Sequence, residues 1–455
     1  MGEKITAGFV GFGEINTPRE LVERKCGQAA DYLASLGLTV KVVAPVADDP
    51  DGKQADRAAG ELKRETFDLL VVCLAGWIPS WAVIRSIEAF KDKPVLLWGL
   101  TGDRDGDRFV TAAAQAGTTA IRRTLQEMGF RFKYVVDRLG QAAPAERIVS
   151  FARAARALSR LRGATVGMAG YRDMRLYGTL YDAASLRARL GVEVEHFELL
   201  EVARYMDEVS EPDIEAATRH IRENWDLIRE PRPETLRSTV RLCLALKRKI
   251  AERGYDALSY SDVDGIKKFF KFAPAGALTL LHDQLKICSI PENDSLGAVT
   301  QLITAFLTGA ASAYLEFYEF TPAGALMGVP DYVPAEVVDG RVRILPNAFG
   351  DFGEGLLNVS RLKTGPVTIA RLAGSGSDYL LHAAFGTAKA PLKWEEAGWA
   401  PPAPQLPSLE IDLAGDSEAF IQNVLSQHYI LSYGDNRPLY RDFCSLAGIR
   451  MVEEK

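Results

Sequence analysis

The pattern of apolar and polar positions along this chain changes character twice. In the first third, short apolar runs alternate with amphipathic stretches, the signature of strands and helices wound into a parallel sheet. Strands are predicted at 5–10, 38–43, 69–74, 94–100 and 132–136. Thr17-Pro18-Arg19-Glu20 opens the first helix with a capping threonine, a proline at the first helical position and a glutamate completing a capping box. Gly37 ends that helix, and a long one at 145–161 leads out to Arg162-Gly163. A second α/β stretch begins near Ala164. Its strands are predicted at 165–169, 192–197, 254–260 and 285–290, with a charged helix at 234–252. After about Pro322 the texture turns to two-residue alternation broken by turns. Asp339-Gly340 reads as a hairpin turn between 336–338 and 341–344, and Gly374-Ser375-Gly376-Ser377 as another between 367–372 and 379–385. A proline-rich loop at 400–407 leads to a last strand and helix, and no internal repeat is evident. The expected fold is α/β: two doubly wound parallel-sheet α/β domains, 1–161 and 162–307, followed by a mainly antiparallel β C-terminal domain, 308–455.

Composition narrows the function classes. The 455 residues suffice for several cores, and 47% hydrophobic with 25% charged residues is ordinary for a globular protein. A net charge of −6 gives no general attraction to nucleic acid or to an anionic membrane. The five cysteines, Cys26, Cys73, Cys243, Cys288 and Cys444, are scattered without a Cys-x-x-Cys pair, which argues against a zinc knot or a disulfide framework. The start, Met1-Gly2-Glu3-Lys4-Ile5, lacks a signal-type apolar core, and no run reaches the roughly 18 apolar residues of a membrane span. A cytoplasmic address is therefore expected.

Candidate chemistry concentrates in Ile290-Pro291-Glu292-Asn293-Asp294-Ser295-Leu296-Gly297, where a strand gives way to a helix. Asn293 or Asp294 can cap that helix, whose apolar residues Leu296, Val299, Ile303, Phe306 and Leu307 make one core-facing stripe before Gly309 stops it. A strand follows at 311–317 and carries Glu316. Strand, crossover helix and strand would run parallel, bringing Glu292 and Glu316 out on one carboxyl edge, where open α/β sheets bind ligands. Two acids there could hold a divalent metal, divide acid and base work, or simply favour the positive end of a helix dipole. Of the five histidines, His196, His220, His282 and His382 read as structural or surface residues. His428 alone stands at an element junction, between a helix ending near Leu425 and an apolar strand. It is a metal-ligand candidate, or a helix-terminal histidine favoured by the dipole. Two carboxylates and one imidazole suit Mn²⁺, or another divalent ion with open positions, better than a closed structural zinc.

The stretch from Ile290 through Leu307-Thr308-Gly309 to Glu316 resembles the metal-binding segment of the L-fucose isomerases, which share their fold with the L-arabinose isomerases. That family has a Glu-Asn-Asp-Ser-Leu run, a Leu-Thr-Gly helix end and a second acid at this spacing; Glu292 and Glu316 are 24 residues apart. Leu97-Trp98-Gly99-Leu100-Thr101-Gly102, Arg160-Leu161-Arg162-Gly163 and Gly254-Tyr255-Asp256-Ala257 are also similar to the family. The resemblance implies a metal site of Glu292, Glu316 and His428. It implies too that an aldose–ketose isomerase interconverts an open-chain sugar through a cis-enediol, Glu292 and Glu316 being both ligands and the acid–base pair. The second acid is usually aspartate, and Glu319 is a competing candidate for that role. Gln427 stands where the family usually has asparagine and keeps an amide for substrate binding. Sugar-contacting positions of the longer enzymes, an arginine near Glu14 and a glutamine near Asp264, have no clear match. Trp77, in Gly76-Trp77-Ile78-Pro79-Ser80-Trp81, matches an aromatic that reaches into a neighbouring subunit's site. A homo-oligomer, trimer or hexamer, follows from that match.

Two other readings are open. Gly8-Phe9-Val10-Gly11-Phe12-Gly13 suggests a Rossmann-type NAD-dependent oxidoreductase, but the third glycine of the fingerprint is Asn16, and a tight strand-to-helix turn explains the run as well. Paired α/β domains flanking a cleft would also suit a non-catalytic sugar-binding protein. Lys267-Lys268 and Arg441 could bind an anionic substituent on the substrate, or solvate a surface.

Overall fold

The computed structural model describes residues 4–328, 331–348, 353–391 and 408–454; the loop expected at 400–407 lies outside them. The chain divides into two compact units at the Ser159–Arg160 boundary.

The first unit is a five-stranded, all-parallel sheet. Its strands are β1 (Thr6–Phe12), β2 (Thr39–Val46), β3 (Leu69–Leu74), β4 (Val95–Gly99) and, after the small hairpin β5 (Asp103–Asp105) and β6 (Arg108–Val110), β7 (Phe132–Val136). The order β2-β1-β3-β4-β7 is that of a doubly wound fold. β3 is buried along its whole length, as a central strand covered on both faces must be. The first helix, Arg19–Ser35, begins without the expected capping box. Pro18 occupies the cap position and has no side-chain acceptor to offer, while the Thr17 N–H is taken by the Glu14 carbonyl at 2.9 Å. The glycines of the first turn have a packing cause rather than a backbone one. Gly11 and Gly13 have ordinary φ, but a Cβ on Gly11 would run into Cys26 Sγ, and one on Gly13 would lie 2.6 Å from Val22 Cγ2. Both contacts are to the first helix, so the glycines let it lie close on the strand.

The second unit contains a four-stranded parallel sheet and a barrel. β8 (Thr165–Ala169), β9 (Glu193–Phe197), β11 (Ala257–Tyr260) and β12 (Cys288–Ile290) form the sheet in the order β12-β11-β8-β9; the short β10 (Trp225–Leu227) pairs elsewhere. β13 (Ala313–Thr321), β14 (Gly324–Gly328), β17 (Gly365–Ala373), β18 (Leu380–Lys389), β19 (Leu409–Leu413), β20 (His428–Tyr433) and β21 (Arg450–Glu453) make a mainly antiparallel sheet. The β17–β18 pairing closes it on itself, and the hairpin expected between them is present. β15 (Val342–Ala348) lies between β10 and β16 (Glu354–Asn358) in a small third sheet.

Four expectations are corrected here. The hairpin at Asp339-Gly340 does not form: Ala335–Val337 is a single 3-10 turn, Val338 bridges to Leu362, and β15 pairs with β10 and β16 instead. The strand before Glu292 is shorter than its apolar run, because Leu285 still belongs to the helix Ala277–Leu285. Glu292 and Glu316 do not share one parallel sheet. β12 belongs to the parallel sheet and β13 to the barrel, antiparallel to both its neighbours. The helix between them, Ser295–Thr308, links two sheets and is buried on nearly all sides rather than along one stripe. Among the described residues, no helix is long and apolar enough to cross a membrane.

Candidate active site

The turn after β12 presents Glu292. Glu292 and Asn293 both take left-handed backbone angles, φ 65° and 49°, which non-glycine residues rarely adopt and which cluster at functional sites. Asn293 holds the turn in place. Its N–H donates to the Tyr260 carbonyl at 3.0 Å, and its side-chain amide donates to the carbonyls of Ala169 at 3.0 Å and of Tyr171. Three of the four parallel strand ends are thereby tied together. Asp294 is the helix cap, accepting the Gly297 N–H at 3.0 Å, so Glu292 is not needed for that task. Asp294 is fully buried and forms a two-pronged pair with buried Arg371 of β17, Nη2 to Oδ1 at 2.7 Å. Gly297 makes room for this pair, since a Cβ there would fall 2.7 Å from Arg371 Nη1.

The barrel brings the other two residues to the same place. Glu316 on β13 lies directly opposite His428 on β20, so their side chains share one face of the sheet. His428 Nδ1 is 3.9 Å from Glu292 Oε2. The His428 ring stacks on Tyr314, centroids 4.4 Å apart, and the Tyr314 hydroxyl donates to Asp294 Oδ2 at 3.1 Å. Glu319 sits beyond an irregularity in β13 and is exposed. Gln427 is exposed, and its backbone carbonyl accepts the Phe317 N–H at 3.1 Å. Trp77 belongs to the first unit. It stands past the end of β3, 40% exposed, its carbonyl accepting the Glu14 N–H at 2.7 Å.

Burial dominates the electrostatics. Glu292 is held well above the carboxylate range by desolvation, reinforced by the charges of Asp262, Asp331, Glu316 and Asp173. Glu316 is pushed up to about 7 by burial and by Asp331. His428 is lowered to about 3, chiefly by burial, and is a neutral imidazole. Asp262, raised to about 7 by burial despite Lys267, was not singled out by the sequence pattern, nor were Asp173, Asp331, Arg371 and Tyr314. A signal existed for two of them. Asp262 closes an apolar strand at Ser259-Tyr260-Ser261-Asp262, and Arg371 is a lone charge inside the apolar run of β17.

The donor set fits a divalent cation. Glu292 Oε2 and His428 Nε2 are buried without hydrogen-bond partners, and a cluster of acids in a dry setting favours a compensating positive charge. Among the described residues, no group of three His, Cys, Asp or Glu side chains is already set around a single point.

No family model matches the chain. It is 24% identical over 326 residues to an L-fucose isomerase of Vibrio vulnificus, covering 64% of this chain and 55% of that protein. It is also 26% identical over 204 residues to an L-fucose isomerase of Bacteroides thetaiotaomicron, covering 42% and 33% respectively. The chain thus spans about half the length of the first relative and a third of the second. An ABC-transporter solute-binding protein from Agrobacterium vitis, solved with bound D-fucose, aligns at 10% identity over 71% of this chain and 94% of that one. Its TM-score of 0.17 is too low to bear on fold or function. Over these stretches the chain is similar to L-fucose isomerases.

Proposed function

We propose that this protein is a divalent-metal-dependent aldose–ketose isomerase acting on an open-chain sugar, with Mn²⁺ the favoured ion. What supports the reading is that Glu316 lies opposite His428 across two barrel strands, while His428 Nδ1 is 3.9 Å from Glu292 Oε2 on the turn after β12. Glu292 Oε2 and His428 Nε2 are buried without hydrogen-bond partners, which stability alone does not account for. Glu292, Glu316 and His428 would hold the ion, which when bound would polarise the sugar's carbonyl and neighbouring hydroxyl. One of the two glutamates then removes the proton from C2 while the C1 oxygen gains one, giving a cis-enediol. Return of the proton to C1, with loss of the proton on the C2 hydroxyl, leaves the ketose. Neutral His428 can donate a lone pair but no charge, leaving the two acids to handle protons. Gln427 and Trp77 are proposed to contact the sugar, Trp77 from a neighbouring subunit of a homo-oligomer working in the cytoplasm.

The test is metal analysis of the purified protein with turnover on a panel of aldoses. Chelation is expected to abolish ketose formation and Mn²⁺ to restore it. Full turnover in a verified metal-free preparation sinks the reading, and tight NAD binding would revive the oxidoreductase alternative.

A further inference from the structure

Beside Glu292 lies a buried charge cluster that the proposed proton transfer does not use: Asp262, Lys267 and Asp331. Asp262–Lys267 winds as a single π-type turn at the carboxyl end of β11, a widened form of helix that recurs at functional sites. Fully buried Asp173 pins that turn, accepting the N–H of Val263 at 2.8 Å, the N–H of Asp264 at 2.6 Å and the Ser261 hydroxyl at 3.1 Å. The turn also abuts the Glu292 segment through the bond from Asn293 N–H to the Tyr260 carbonyl. Lys267 Nζ donates to Asp262 Oδ2 at 2.6 Å, with side chains 5% and 1% exposed. Of the two readings open for Lys267-Lys268, an anion contact or a solvated surface, neither describes Lys267, which is buried against Asp262, while Lys268 is ion-paired with Asp264.

What remains unused is acceptor capacity. Asp262 Oδ1 is buried and receives no hydrogen bond, and the same holds for Oδ1 of Asp331, a residue only 4% exposed. A buried carboxylate oxygen without a donor is a standing cost that a partner must offset. The partner must bring hydrogen-bond donors rather than charge of the same sign, because the charges of Asp262, Asp331 and Glu316 already hold Glu292 above its usual range and Asp331 does the same to Glu316. Hydroxyl groups meet that need; phosphate and carboxylate do not.

We infer that Asp262 and Asp331 are specificity-determining residues, whose free Oδ1 atoms accept hydrogen bonds from hydroxyls of an uncharged open-chain sugar at carbons beyond the reacting pair. Lys267 fixes Asp262 in place for that contact. The identity of the ligand rests on the isomerase reading above.

Calorimetric titration onto the Mn²⁺-loaded protein tests this, using an unreactive hexitol, its analogues lacking one hydroxyl at C3 to C6, and its terminal phosphate. The wild type is expected to bind the hexitol, to lose about ten- to a hundredfold in affinity for at least one deoxy analogue, and to reject the phosphate. Asp262→Ala and Asp331→Ala are expected to lower hexitol affinity by a similar factor with Mn²⁺ affinity unchanged. Each variant should also erase the penalty for the analogue whose hydroxyl it contacted. Because Asp262→Ala strands a buried ammonium, the double variant D262A/K267M is measured beside it. The analogue series on the wild type decides independently of any variant: equal affinity across the series, or preference for the phosphate, overturns the inference. So does loss of Mn²⁺ in Asp331→Ala, which would make that acid a ligand. A wild type that takes up no Mn²⁺ defeats the isomerase reading itself. One that isomerises aldoses while its variants bind hexitol unchanged defeats only this assignment.

Discussion

Two parallel sheets in this molecule end in carboxyl edges of the same kind, yet the edges are finished differently. At the first, polar groups are paired. Asp137 accepts both the Trp98 indole N–H and the Ala143 N–H at 2.9 Å, and buried Lys25 donates to the Thr101 carbonyl at 2.6 Å. At the second, two consecutive non-glycine residues hold left-handed angles, and buried acceptors are left without donors. Among the described residues, the buried carboxylate oxygens lacking a partner, on Asp262, Glu292 and Asp331, all belong to the second unit. One architecture can therefore be completed from within, or left to be completed by something that binds. The unpaired atoms, more than the fold, separate the two cases.

The sharpest way to break this contrast is to neutralise its central acids. Glu292→Gln and Glu316→Gln are each expected to reduce kcat by about a thousandfold or more, because each removes a charge from the metal and a group from proton transfer. Near-normal turnover in either variant would remove that residue from the site. Next comes the rigid part of the same edge. Arg371→Met leaves Asp294 buried and unpaired, and an unfolding free energy lower by about 3–5 kcal/mol is expected in denaturant titrations. The double variant with Asp294→Asn should recover part of that loss; if it does not, the pair contributes shape rather than charge balance. On the first edge, Gly11→Ala should cost about 1–3 kcal/mol by forcing the first helix off β1. Mn²⁺ affinity should not change. A fall in Mn²⁺ affinity would mean that the two units are not energetically separate.

Much of this was legible in the sequence, and the failures have physical causes. The first sheet was readable because each strand is a short apolar run and each helix has its own stripe, so local pattern and tertiary burial agree. Glu292, Glu316 and His428 stood out as candidates, but the sheets that carry them were misjudged. A strand–helix–strand pattern implies a parallel crossover only if both strands join one sheet, and β13 instead finds antiparallel partners far along the chain. The burial of Ser295–Thr308 on nearly all sides was hidden because Thr300, Gln301 and Thr304 look like a solvent face. In fact Thr300 and Thr304 turn their hydroxyls back onto the helix carbonyls at 2.6 and 2.8 Å. Asp331 gave no signal at all, since it lies outside any periodic element.

The smallest expected effect concerns Trp77, and it tests whether the first edge is as self-sufficient as its paired groups suggest. Trp77 and Trp81, 40% and 42% exposed, and Ile15, 54% exposed, are large apolar side chains left uncovered past the ends of β1 and β3. Removing Trp77 should lower unfolding stability only through the part of the ring that is covered, so sugar binding is the deciding readout. If it stacks on sugar in a neighbouring subunit, Trp77→Ala should weaken sugar binding by about 0.5–1.5 kcal/mol with the metal still bound, since a stacked ring contributes area rather than charge. Complementation separates that from a local defect. Subunits carrying Trp77→Ala and subunits carrying Glu292→Gln, mixed and co-assembled, should give some sites with both residues intact, drawn from different chains. Those sites should turn over sugar with the wild-type KM, a class of site that neither parent oligomer contains. Mixed oligomers no better than their parents, or an active monomer, would return Trp77 to its own unit and leave the first edge closed in itself.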